Sequence, residues 1–234
     1  ATTEIYTLSL HDALPICVHE VLTHPNQSNL AQLRLNIPII HCSAKTSYSN
    51  RNLLIYEKQI QSSKTLTLRD TFYYGRELFY HEKWEEAIHH LTVFLQSSGG
   101  WKENKIEACR ILAQCFQHTS SFESALAALF YSFSYDTPRA EVCCDIGEAF
   151  LQKQQYQQAI FWYRMALTRP KDETSGAFIL HDCYDYLPCM QLCVCYDRLG
   201  NLEKAELYNK KAGLYHPDSA AYLQNLEYFQ SLRK

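Results

Sequence analysis

Ten of the 234 residues are cysteine, enough for several disulfides or for a metal centre. Their spacing argues against both. A structural zinc site asks for a pair spaced C-x₂₋₄-C together with a second such pair. Cys193-Val194-Cys195 and the adjacent Cys143-Cys144 have neither spacing. The chain opens without the basic, apolar, small-residue succession of a secretory signal, so its thiols are expected to stay reduced in a cytoplasm. Cys109, Cys143 and Cys189 each stand four residues before a small residue, namely Ala113, Gly147 and Cys193. Cys115 and Cys195 each stand two residues after one. Such recurrence marks packing positions, because cysteine is often buried and behaves as a small hydrophobe. No cofactor is expected to bind this chain, zinc included.

The elements that carry these cysteines repeat. Four segments align: Tyr74-Gly75-Arg76-Glu77-Leu78 with Trp84, Ala87 and Leu91; Leu112-Ala113 with Phe122, Ala125 and Leu129; Ile146-Gly147 with Tyr156, Ala159 and Tyr163; Leu192-Cys193 with Gly200, Leu202 and Ala205. Within each, an alanine follows the small residue by 12 positions: Gly75 and Ala87, Ala113 and Ala125, Gly147 and Ala159, Cys193 and Ala205. A constant offset between two small residues is what a helical hairpin needs where its helices come closest. Hairpins of roughly 34 residues with this pattern are similar to tetratricopeptide (TPR) repeats. The alanines of successive units lie 38, 34 and 46 residues apart, and the last excess places an inserted loop at Lys171–Asp182. Tyr222, Leu226 and Phe229 in the tail have the spacing of a terminal capping helix. The expected fold class is mainly α: a TPR-like α-α superhelix of about four hairpins plus a capping helix over residues 68–234.

Repeat stacks of this kind commonly hold peptides on the face of their first helices. That face is expected to present Arg69, Arg76, Tyr80, Glu107, Arg110, Gln114, Glu141, Glu148, Asp197 and Arg198. Both charge signs are interleaved there. The Lys/Asn/Arg cluster by which some TPR domains hold a terminal carboxylate is missing. The whole chain has 22 basic and 25 acidic residues, a net charge of −3, which points to neither nucleic acid nor an anionic membrane. No apolar run approaches the roughly 20 residues of a membrane span. With 47% hydrophobic residues and only seven glycines, the composition is that of a packed helical protein.

The N-terminal third is of another kind. Residues 1–16 look like translated sequencing-adaptor read-through and are set aside as non-native. In residues 17–67, the pair His19-Glu20 stands between apolar flanks, and Leu35–Ile40 is a β-branched run into His41. Pro38 confines that run to an edge strand. Arg51–Glu57 starts an amphipathic helix. Two short strands and a helix cannot close a core alone, so this stretch reads as the α/β remnant of a larger domain.

The order Val18-His19-Glu20, Ile40-His41, Arg51-Asn52-Leu53-Leu54 and Phe72–Leu78, with Pro138–Glu141 and Cys195–Gly200 further on, resembles the C-terminal half of bacterial family-two glycosyltransferases with appended TPR repeats. The resemblance implies a parent that transfers a sugar from a nucleotide-sugar donor with a divalent cation, manganese or magnesium. It implies His19 as a ligand completing that metal site, and Glu20 and His41 as acceptor or outer-shell contacts. The Asp-x-Asp donor motif is not found, since Asp182 and Asp185 are spaced wrongly, so this chain alone should be inactive. Its repeats would then serve a protein or glycan acceptor. The alternative is a stand-alone TPR scaffold without enzymatic activity.

Overall fold

The computed structural model describes residues 49–63, 65–119, 121–173 and 175–233. The chain divides into two compact units, Ala1–Leu66 and Thr67–Lys234. In the first, the described part is the helix α1 (Arg51–Gln61), whose Leu53 and Tyr56 are buried one turn apart. Residues 1–16, both expected strands and the candidates His19, Glu20 and His41 lie outside the described residues.

The second unit is helical throughout its regular structure. Four hairpins follow one another: α2 (Leu68–Tyr80) with α3 (Trp84–Gln96), α4 (Lys102–His118) with α5 (Phe122–Tyr131), α6 (Ala140–Gln152) with α7 (Tyr156–Ala166), and α8 (Tyr186–Arg198) with α9 (Leu202–Tyr215). A final helix, α10 (Ala220–Ser231), packs on α9. The first helix is started by Thr67: its hydroxyl accepts from the Asp70 N–H at 3.1 Å, and the Asp70 carboxylate accepts from the Thr67 N–H at 3.2 Å. This reciprocal cap satisfies two donors the helix itself cannot reach.

Small residues set the closeness of each pair. A Cβ placed on Gly75 would stand 2.8 Å from the Leu91 side chain, and one on Gly147 would stand 2.9 Å from the Tyr163 ring. The alanines 12 residues on, Ala87, Ala125, Ala159 and Ala205, are wholly buried. Sixteen residues after each small residue a second buried position recurs: Leu91, Leu129, Tyr163 and Asn209. The fourth is polar, and its partners are on α10. Asn209 donates to the Tyr222 carbonyl at 3.2 Å and accepts from the Asn225 amide at 3.1 Å.

The turns within hairpins repeat as well. Lys83, Ser121, Gln155 and Asn201 each donate their N–H to the carbonyl five residues earlier, at 2.8–2.9 Å. That bond closes a helix C-terminus through a left-handed residue. Glu82, Gln154 and Gly200 supply positive φ there. The cysteines fill the core between helices: Cys143, Cys144, Cys193 and Cys195 pack with Ile160, Tyr163, Leu192 and Phe229. All eight described cysteines are buried and unbridged.

Candidate partner-binding face

In the first three hairpins, counting from the small residue, the positions six before, three before and one after fall on one side of the first helix. They are Arg69, Phe72 and Arg76 on α2; Glu107, Arg110 and Gln114 on α4; Glu141, Cys144 and Glu148 on α6. The helical period brings them to one stripe. Bonds also tie α4 to α6. Arg110 donates from Nε to Asp145 Oδ2 at 2.6 Å, from Nη2 to Asp145 Oδ1 at 3.3 Å, and from Nη1 to Glu107 at 2.9 Å. Arg139, just before α6, pairs with Glu103 of α4.

Of the residues expected on this face, Arg69, Tyr80 and Arg198 are exposed, and Arg76, Glu107, Gln114, Glu148 and Asp197 are half-buried. Glu148 accepts from the Tyr163 hydroxyl at 3.1 Å, and Asp197 from the Tyr228 hydroxyl at 3.1 Å. Arg110 and Glu141 are not open, with 5% and 2% of their surface exposed. Arg110 is held between α4 and α6, and the inserted loop between α7 and α8 crosses the first-helix stripe and bonds Glu141. Phe178 shares a narrow gap with Ile106, Arg110, Glu141 and Val142. Leu180 donates its N–H to Glu141 Oε1 at 3.1 Å, and the Tyr184 hydroxyl donates to Glu141 Oε2 at 3.0 Å. Burial and that carboxylate push the Tyr184 phenol up from its ordinary range.

On α2 the guanidinium of Arg76 is surrounded by rings. Its carbon lies 4.9 Å from the centre of Tyr73, 5.0 Å from Phe178 and 5.8 Å from Tyr80. These distances are those of cation–π contacts. Arg76 Nε is buried without a hydrogen-bond partner among the described residues. The other side of the loop borders a cavity of about 210 Å³, whose walls include Lys102, Pro138, Arg139, Ile179 and Tyr184. Phe178 is a side chain on this face that helical periodicity could not reveal. Its signal in the sequence is the apolar run Ala177-Phe178-Ile179-Leu180 inside an otherwise polar loop.

Among the described residues, no three His, Cys, Asp or Glu side chains gather as metal ligands. No helix there is long and apolar enough to cross a membrane. The matching stretches Arg51–Leu54 and Phe72–Leu78 form the start of α1 and the middle of α2. Phe72, Tyr74, Gly75 and Leu78 are buried packing residues there.

No protein-family model and no curated protein matches the chain, so the glycosyltransferase resemblance gains no support from them. Solved structures do match in fold. A crystal structure of MamA superposes with a TM-score of 0.54 at 18% identity, over 69% of this chain and 84% of that one. PilF of Pseudomonas aeruginosa gives 0.55 at 14% identity, over 74% and 72%. YrrB, described as a TPR protein with an unusual peptide-binding site, gives 0.54 at 17% identity, over 76% and 83%. With four equal hairpin offsets, four equal turns and these likenesses, residues 67–234 have a TPR-like helical-repeat fold.

Proposed function

We propose that this chain is a protein-interaction scaffold that holds an extended peptide segment across the first helices of its repeats. The observation that carries the reading is the inserted loop. Gly176–Leu180, a stretch of main chain without helix or turn, already crosses the first-helix stripe between Arg76 and Glu141. A surface that seats extended chain offers what a peptide needs: a carboxylate to accept main-chain N–H groups, and an Arg76 Nε without an acceptor among the described residues. The peptide-binding site of YrrB, a protein of similar fold, agrees with this assignment.

The test is a peptide selection on the purified chain, followed by charge reversal. Arg76→Glu and Arg198→Glu should each weaken the selected peptides by about tenfold, corresponding to 1–2 kcal/mol of lost charge-assisted bonding. Lys210→Glu, on the second helix of the fourth hairpin, should leave them unchanged. Equal loss in all three variants would remove the first-helix face from consideration.

The reading as a piece of a metal-dependent sugar transferase rests on the sequence resemblance alone. Its candidate ligand His19, with Glu20 and His41, falls outside the described residues. The reading frame upstream decides it: a strand-rich domain with an Asp-x-Asp motif supports a transferase, and a start codon directly ahead supports the scaffold.

A further inference from the structure

The connection between α7 and α8 is much longer than a hairpin stack needs, running from residue 167 to residue 185. Its two parts are held differently. The part next to α8 is anchored: Cys183 is buried, its carbonyl accepts from the Cys144 thiol at 3.5 Å, and Tyr184 bonds Glu141. The part before it lies lightly on the face. Successive residues from Ser175 to Leu180 alternate between half-buried and exposed, the period of an extended strand. Ala177 and Ile179 turn toward the 210 Å³ cavity, whereas Phe178 turns toward Arg76 and Arg110. Phe178 keeps 40% of its surface exposed although its ring lies against the Arg76 guanidinium. Gly176 bends the segment with a φ of 74° against the Trp101 ring, where a Cβ would come within 3.3 Å. The bonds of Ser175 and of the Ala177 N–H run within the loop itself, to Asp172 and Ser175. Few buried contacts and exposed backbone are the marks of a segment that opens locally without global unfolding.

This segment covers the most strongly charged part of the stripe. Beneath it lie Arg76, Arg110 and Glu141, beside Ile106 and Val142. We propose that Ser175–Leu180 is a built-in competitor seated in the peptide site, and that the partner is an extended peptide carrying an aromatic residue followed by aliphatic ones. The partner's aromatic ring takes the place of Phe178 on Arg76. Its main-chain N–H, two residues on, takes the place of Leu180 on the Glu141 carboxylate. The proposal rests on the scaffold reading above and adds to it the partner's chemistry and the competition. A competitor tethered to its own site lowers apparent affinity in proportion to the fraction of time the site is open.

The experiment uses a fluorescent peptide with the sequence of residues 172–181, titrated into the full chain and two variants. Phe178→Ala removes the ring that seats the segment, and Gly176→Val lifts it by backbone strain and by its clash with Trp101. Each should bind the peptide about tenfold or more tightly than the parent does. Combining Arg76→Ala with Phe178→Ala should return binding to the parent's weak level. Peptides selected on the parent are assayed alongside. If they bind parent and both variants alike, while Arg76→Glu still weakens them, the competitor is disproved and the scaffold stands. If no peptide binds any form, both ideas fall. Amide hydrogen exchange on the parent gives an independent check that needs no variant to fold. Amides 176–180 should exchange well before those of α4 and α6, and protection equal to theirs would show a fixed core segment and end the proposal.

Discussion

Burial in the helix interfaces pushes the thiols of Cys109, Cys115, Cys143, Cys193 and Cys195 up to about 12, and that of Cys189 to about 11. Only the thiolate attacks disulfides or binds metal, so these side chains are inert in the folded state near neutral pH. In a form carrying Cys17→Ser and Cys42→Ser, an aromatic disulfide reagent at pH 8 should find almost no reactive thiol until denaturant is added, and then all eight. Melting should also ignore reductant and chelator. Fast stoichiometric labelling of the folded chain, or one tightly held zinc, would overturn the packing assignment. That assignment was legible in the sequence because the cysteines recur at fixed distances from the small residue of each hairpin. The burial of Arg110 and Glu141 was not legible. Periodicity reports which face of its own helix a residue occupies, whereas the chain that covers this face arrives from a loop 39 residues beyond Glu141.

At the scale of the elements, close helix approach is the constraint that the small residues express, and the sequence offsets predicted all four hairpins. The same constraint explains why the short stretches resembling a transferase carry little weight. Phe72, Gly75 and Leu78 are types that any tightly packed hairpin selects, whatever domain precedes it. The capping helix shows the constraint at its tightest. A Cβ on Gly213 would stand 2.4 Å from the Tyr222 ring, which no real contact allows. Gly213→Ala should therefore push α10 off α9, at a cost of about 1–3 kcal/mol. The amides of residues 220–231 should lose protection first, while those of α2–α5 stay as in the parent. Uniform loss across the whole stack would mean that α10 is not a separate cap.

For the whole repeat unit, stability is the sum of hairpins and the interfaces between neighbours. The interface of the second and third hairpins carries the Arg110–Asp145–Glu107 cluster and the Glu103–Arg139 pair. Arg110 is almost fully buried, so removing it leaves two carboxylates without their shared cation. The Asp145 and Glu107 carboxylates keep 22% and 20% of their side-chain surface exposed, so losing their cation costs about 1–3 kcal/mol. Arg110→Met should lower the urea midpoint and split a single transition into two, with α2–α5 and α6–α10 unfolding separately. Asp145→Asn should do less, and a single sharp transition in Arg110→Met would show that the hairpins are coupled by apolar contact alone. Asn209 gives the same stack a direction. Where the other hairpins place Leu91, Leu129 and Tyr163, the fourth buries an amide whose partners among the described residues are on α10. The hairpins are therefore not interchangeable modules. Moved to the interior, the fourth would strand that amide against an apolar neighbour, and α10 would find no matching amide on any other hairpin, so the order of the units is written into one side chain.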